Sequence, residues 1–203
     1  MAVIEVFADV RCPFTHAGLR RLIERREARG GGPALHLRAW PLELVNGEPM
    51  DVDLVHEEIR ALREQVAPEL FAGFSPATFS STSLPALALS AAAYDRGVEA
   101  GEKVALALRW ALFEEGRDIA DPDVLGDIAR SVGLTWEDGD VGQRVFEEWR
   151  EGEARGVVGS PHYFLGGEGW FCPTLDINRD DAGFHVTENA RARDMLLERA
   201  SLS

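Results

Sequence analysis

The sequence predicts an α/β fold in which a long helical block interrupts a small β-sheet unit. Three observations predict it. The chain opens with a strand–helix–strand pattern, on the order of one hundred residues of helical periodicity follow, and strand signals return near His162 before a last helix. Val3–Ala8 is a short apolar run with β-branched and aromatic content, which reads as a strand. Asp9-Val10-Arg11-Cys12 is a loop, and Pro13 opens a helix to about Arg29. Proline suits the first helical position, where its missing N–H would have no intrahelical partner anyway. Phe14, Ala17, Gly18, Leu19, Leu22 and Ile23 make the apolar stripe of this helix, and Arg20, Arg21, Glu24, Arg25 and Glu27 cover its wet side. Gly30-Gly31-Gly32-Pro33 ends it, and Ala34–Trp40 is the second strand. A strand–helix–strand unit of this kind pairs its strands in parallel through a right-handed crossover.

Leu44–Met50 reads as a polar loop with Gly47 and Pro49. Helical segments follow at Asp51–Ala72 (broken near Pro68), Ser83–Arg96, Glu99–Glu115, Asp121–Val132 and Asp140–Arg155. Asp121-Pro122 is a cap followed by a first-turn proline. Gly159-Ser160-Pro161 then leads into His162–Leu165, Gly166–Gly169 forms a turn, and Trp170-Phe171-Cys172 begins the returning strand of a hairpin. With these assumed turn limits Cys172 falls opposite Tyr163. Thr187 caps a final helix to about Ala200, with Glu188 and Asn189 in its first turn. The layout is βαβ, helical insertion, ββα: a four-stranded sheet roofed by inserted helices.

The chain has 203 residues, 45% hydrophobic and 28% charged, enough for a sizeable core and unlike a disordered composition. Lys plus Arg number 21 and Asp plus Glu 35, a formal net charge of −14. Duplex binding needs a basic face that releases counterions, so this balance argues against nucleic-acid and anionic-membrane partners. The segment to Gly47 is mildly basic against an acidic remainder, which reads as a solvated surface. No apolar run reaches the ~20 residues of a membrane span, and MAVIEVFADV lacks the basic and apolar regions of a secretory signal. Two cysteines do not make a disulfide scaffold, so a reducing, cytoplasmic setting is expected.

Cys12 is the sharpest chemical feature. It sits between strand and helix, immediately before Pro13, where the free N–H groups and positive end of the helix favour a thiolate and lower the thiol pKa. The alternative is an inert cysteine filling space below the helix. Thr15 could hydrogen-bond the sulfur from three residues on, or be an ordinary first-turn threonine. His16, at i+4, shares the helical face of Cys12, and its protonated form would favour a thiolate; the alternative is a solvated surface histidine. Cys12 and His16 alone do not make a metal site, because zinc takes at least three protein ligands, and no metal is expected. The Ser160–Pro161 bond, at a strand entry, could be cis or trans. Cys172 reads first as a buried strand cysteine and alternatively as a second thiol for Cys12. Phe71, Phe74, Phe79, Trp110 and Phe113 read as core.

The stretches FADVRCPFTHAGLRRL, HLRAWPLEL, RWALFEEGRDIADPDVLGDIARSVGL and EARGVVGSPHYFLGG, in that order, resemble the DsbA-like thioredoxin-fold family, in its FrnE-type and 2-hydroxychromene-2-carboxylate isomerase-like branch. The resemblance implies a thioredoxin-like fold interrupted by an all-helical insertion domain, with residues 1–47 plus 156–203 forming the thioredoxin-like domain and 48–155 the insert. It implies thiol–disulfide oxidoreductase chemistry, with Pro161 as the cis-proline facing Cys12. Cys12, Thr15 and Pro161 would be the catalytic set, and Pro13, Phe14, His16 and Ser160 the substrate contacts. This chain departs from the redox members in one place. Their Cys-x-x-Cys is here Cys12-Pro13-Phe14-Thr15, so no disulfide can close within the motif. A monothiol mechanism remains: Cys12 attacks a disulfide and an external thiol resolves the mixed disulfide. No bound cofactor is expected; glutathione or an equivalent low-molecular-weight thiol would be cosubstrate, with small thiols, disulfides or protein disulfides as partners, and a homodimer is compatible. The alternatives are a thiol-dependent isomerase or a glutathione-transferase kappa-like enzyme acting on a small aromatic or electrophilic compound, and a binding module without catalysis.

Overall fold

The computed structural model describes residues 2–136 and 142–202. Its central sheet has four strands, β1 (Ile4–Ala8), β2 (Leu35–Ala39), β3 (His162–Leu165) and β4 (Glu168–Phe171), in the order β2-β1-β3-β4. β1 and β2 run parallel, in register from Ile4↔Leu35 to Ala8↔Ala39, and are connected through α1 (Pro13–Ala28). β3 lies antiparallel to β1 on one side and to β4 on the other. This is the expected α/β sheet. Between β2 and β3 lie the helices α2 (Leu42–Asn46), α3 (Val52–Gln65), α4 (Leu84–Tyr94), α5 (Val98–Phe113), α6 (Pro122–Arg130) and α7 (Gln143–Ala154). The Asp121 cap is as the sequence suggests, and the structure adds a second at Asp51. The Asp51 carboxylate accepts from Asp53 N at 2.9 Å, and the Asp121 carboxylate from Asp123 N at 2.9 Å with Pro122 following, which satisfies donors a helix start leaves open.

The side chains of β1 alternate as a pleated strand requires. Ile4, Val6 and Ala8 join Leu35, Leu37 and Tyr163 under Leu19, Leu22 and Ile23 of α1 and Leu196 and Leu197 of the last helix, α8 (Ala190–Leu202). Phe7 points to the other face, against Trp40, Val157 and Phe164. A further cluster joins Cys12, Phe14 and Ala17 of the loop and α1 to Val55, Ile59 and Leu62 of α3, Leu108 and Leu112 of α5, and Cys172. Each large aliphatic side chain taken fully out of water is worth about 1.5–3 kcal/mol, so this shared cluster, rather than the connecting loops, holds the helices over the strand ends.

Four sequence expectations need correction. Leu42–Asn46, partly assigned to a polar loop, is helix α2, closed by Gly47 at φ 73°. The segment read as helical to Ala72 with a break near Pro68 is helix only to Gln65. The hairpin turn is two residues, Gly166 and Gly167, both at positive φ (59° and 99°), the conformation that matches the twist of paired strands. Glu168 therefore already pairs, Trp170 lies opposite Tyr163, and Phe171 opposite His162. Cys172 follows the strand, and its N–H donates to Pro161 O at 2.9 Å rather than facing Tyr163. Finally, Thr187 and Glu188 do not start the last helix. They end β6 (Gly183–Glu188), which pairs with β5 (Leu175–Asp180) in a separate two-stranded sheet, and Asn189 caps α8 by accepting from Ala192 N at 3.0 Å. The Asp140 start expected for the helix before β3 lies outside the described residues; α7 begins at Gln143.

The β5–β6 sheet is tied to α3 by the exposed Arg179–Glu57 pair and by Gln65. The Gln65 amide donates to Phe184 O at 2.8 Å and accepts from Val186 N at 2.7 Å. No helix among the described residues is long and apolar enough to cross a membrane.

Candidate active site

The site forms where β1 ends and α1 begins. Cys12 occupies the N-cap of α1 in an extended conformation, φ −76° and ψ 115°, with Pro13 next to it. Its Sγ donates to Ser160 O at 3.2 Å. The Ser160–Pro161 peptide bond is cis. Thr15 Oγ1 lies 3.0 Å from Ser160 Oγ, which also accepts from Asp9 N at 3.0 Å. Thus Cys12, Thr15, Ser160 and Pro161 are brought together by the β1–α1 loop and the entry to β3, two segments adjacent only because β1 and β3 pair.

Cys12 is only 4% exposed. Burial pushes its thiol pKa up, and the neighbouring Glu58 carboxylate adds to this. The Thr15 hydroxyl, Ser160 and the Thr15 N–H work in the opposite direction without reversing it. The expected lowering at the helix start is therefore not realised in this closed arrangement. Taking a charge out of water costs more than the helix end returns, and the resting sulfur is a protonated thiol donating to a carbonyl.

Glu58 escaped the sequence reading. It lies on α3, one helical turn from both Val55 and Leu62 of the cluster that contains Cys12. Its half-buried carboxyl has no hydrogen bond or ion pair among the described residues, and burial raises its pKa to about 7 against the pull of Arg179.

His16 is not at the surface. It is buried, 2.7 Å from Glu114 Oε1 through Nε2, with the Phe71 and Phe113 rings 5.2 and 5.0 Å from its own. Burial lowers its pKa, and Glu114 only partly offsets that. Glu114 also accepts from Phe71 N at 2.8 Å and Ala72 N at 3.1 Å, so His16 joins α1 to the chain after α3. Phe71 is held there at φ 65°, a left-handed conformation uncommon for a residue with a Cβ. Pro13 and Phe14 are buried as well, and the Phe14 ring lies 6.0 Å from that of Phe184.

A second group missed from sequence lies beside the site. Asp9 accepts from Arg11 N and Leu42 N, both at 2.8 Å, and from Ser83 Oγ at 3.0 Å. Arg11 donates to Ser80 O, Ser81 O and Glu43 Oε1, and Arg109 of α5 to Asp9 O at 3.3 Å and Ala105 O at 2.8 Å. Asp9, Arg11 and Arg109 are 0–2% exposed. Their partners come from segments up to about one hundred residues apart, so nothing near Asp9 in the sequence marks it.

A cavity of about 470 Å³ opens on the helical side, lined by His56, Ile59, Arg60, Arg63, Phe71 and Phe74 among others. Among the described residues no cluster of His, Cys, Asp and Glu side chains has the makings of a metal site.

Comparison with known proteins accords with this geometry. No curated protein sequence matches the chain. The structure is similar to that of the cytosolic disulfide reductase DsbM from Pseudomonas aeruginosa with GSH (14% identity, TM-score 0.61, 97% of this chain and 98% of that one). It is similar to a probable DsbA oxidoreductase from Streptomyces coelicolor (18% identity, TM-score 0.66, 98% and 90%) and to a 2-hydroxychromene-2-carboxylate isomerase (16% identity, TM-score 0.65, 83% and 88%). At these identities the likeness is one of fold. The family model of the DSBA-like thioredoxin domain matches residues 3–176, and the chain belongs to that family of thiol oxidoreductase-type proteins.

Proposed function

We propose that the protein catalyses thiol–disulfide exchange as a monothiol through Cys12, on low-molecular-weight disulfides and on protein disulfides that reach the site. One observation carries this reading: the single motif sulfur sits at the start of α1 against Ser160 O at 3.2 Å, and threonine occupies the position where an in-motif partner would stand.

Cys12 Sγ gives up its proton and attacks one sulfur of the substrate disulfide. A Cys12 mixed disulfide forms, the substrate S–S bond breaks, and the leaving thiolate takes up the proton. A second thiol, of the glutathione class, then attacks the mixed disulfide, and its own proton passes to the returning Cys12 thiolate. Ser160 and Pro161 offer backbone groups to the bound chain, Pro13 and Phe14 form the apolar border, and Thr15 hydrogen-bonds the thiolate while it lasts. His16, locked to Glu114, orients α1 rather than touching the sulfur. The GSH in the structure of the similar DsbM protein supports this cosubstrate class. No resident cofactor is required. A reducing, cytoplasmic compartment supplies the resolving thiol, and the two cysteines are unpaired. Residues 1–47 and 156–203 would act as the catalytic domain and 48–155 as its helical cover.

The test is turnover of a glutathione mixed disulfide by the wild type and by Cys12→Ser. The wild type should turn over with a rate that rises from pH 7 to 9, because burial keeps the thiol protonated. Cys12→Ser should lose at least 100-fold; full activity in that variant would refute the assignment.

A second reading, thiol-dependent isomerisation of a small aromatic anion, is favoured by the cavity whose lining includes Arg60, Arg63, Phe71 and Phe74. It requires product formation with catalytic thiol and no net thiol consumption.

A further inference from the structure

The two cysteines of this protein meet at one short stretch of backbone. Cys12 Sγ donates to Ser160 O at 3.2 Å, and Cys172 N donates to the next carbonyl, Pro161 O, at 2.9 Å. Both are free, both are nearly inaccessible at 4 and 6%, and both belong to one buried cluster. They arrive from opposite sides, Cys12 from the end of β1 and Cys172 from the end of β4, with β3 between.

The backbone at Cys172 is unusual. Its φ is 42°, in the left-handed region that a Cβ disfavours. There the chain leaves β4 and crosses to β5, with Leu175 N donating back to Cys172 O at 3.3 Å. The crossing segment runs hard against α1: a Cβ at Gly18 would lie 2.4 Å from Thr174 Oγ1. Only glycine at position 18 allows that approach, so the first turns of α1, which begin at Cys12, cover the segment that begins at Cys172. Electrostatics agrees, since a charge on Cys12 is felt at Cys172 and charges on both are felt at Tyr163, buried beneath them.

We propose that Cys172 is the resolving thiol for Cys12, and that this chain closes a Cys12–Cys172 disulfide in place of the missing in-motif one. This rests on the monothiol attack by Cys12 argued above. Cys12 attacks a low-molecular-weight disulfide RS–SR; Cys12 Sγ–SR forms and one RSH leaves. Cys172 Sγ then attacks Cys12 Sγ, the Cys12–SR bond breaks, and a second RSH leaves with the proton from Cys172. The protein loses two electrons and two protons, and RS–SR gains them. Two equivalents of an external thiol reverse the process. Closure brings the two Cα atoms to within about 7 Å. Burial foremost, with a contribution from Cys12, pushes the Cys172 thiol up to about 12, so the second step accelerates with pH.

The experiment follows the reduced full chain after mixing with oxidised glutathione at pH 8, by intact mass, thiol titration and peptide mapping. The wild type should pass through one glutathione adduct and end with no adduct, two hydrogens lighter, without titratable thiols, and with a linked pair of peptides carrying Cys12 and Cys172. Cys172→Ala, and Cys172→Ser if that variant folds better by circular dichroism, should stop at the adduct on Cys12. A wild type that keeps one stable glutathione on Cys12 while Cys172 still titrates would overturn this inference and leave the monothiol reading intact. A Cys12 that takes no glutathione in either protein would overturn both.

Discussion

The β1–α1 loop serves two regions that treat polar groups in opposite ways. On one side Asp9 and Arg11 enter a closed network with Glu43, Ser83 and Arg109, in which both Asp9 carboxylate oxygens and its carbonyl are occupied. On the other side, one residue further on, Cys12 has a single carbonyl partner, and Glu58 has no hydrogen bond among the described residues. The first region occupies every acceptor of Asp9 and is a structural lock between β1, α2, α4 and α5, although Nε of Arg11 and of Arg109 has no hydrogen-bond partner among the described residues. The second keeps two titratable groups in an environment that favours their neutral forms. Contrasts of this kind separate fold-making from chemistry, because buried groups that can change protonation at moderate cost are what a reactive site needs.

The largest effect that would sharpen the contrast is at the lock. Asp9→Ala takes the acceptor from Arg11 N, Leu42 N and Ser83 Oγ and leaves the buried Arg11 guanidinium without the carboxylate 3.6 Å away, and should cost about 3–5 kcal/mol, read as a fall in the urea midpoint; a change below ~1 kcal/mol would show that the network is not holding the loop.

On the other side, Glu58→Gln should stabilise the protein. The carboxyl is raised to about 7 when folded, so its contribution is intact below the unfolded value of ~4.3 and is lost as pH rises through 7. The gain should be on the order of 2 kcal/mol at pH 8 and near zero at pH 4. In the same variant the pH midpoint of Cys12 alkylation should fall, since the Glu58 charge helps hold the thiol protonated. An unchanged alkylation profile would break the link between the two groups.

The smallest effect is at Thr15. Thr15→Val should cost about 1 kcal/mol from the lost Ser160 contact and move Cys12 alkylation to higher pH, and Thr15→Ser should restore both. Equal profiles for Val and Ser would remove Thr15 from any role at the sulfur.

The fold was legible because local signals agreed. Pro13 after the loop, the triple glycine before β2, the aspartate cap at position 121, and the strand signals near residue 162 each point to one element. The β5–β6 sheet was not legible, since its strands, LDINRD and GFHVTE, are half polar and carry no clean alternation. The hairpin register failed because four glycine-rich residues do not say which two turn. At the site, Cys12, Thr15, Ser160 and Pro161 stand out by residue type and position. Asp9, Glu58, Glu114 and Arg109 do not, because what makes them special is burial beside distant partners. The same holds for His16: a histidine among arginines in a helix reads as wet until Phe71, Phe113 and Glu114 close over it.

The Gln65 amide has a further consequence. By donating to Phe184 O and accepting from Val186 N, it gives β6 the pair of bonds that a third strand would give, from a side chain on a helix. Mechanically it is a rivet. Any excursion that swings α3 away from Cys12 to admit a substrate must drag the β5–β6 ribbon along, or shear two hydrogen bonds at once. The ribbon and α3 are therefore coupled on the side of the thiol.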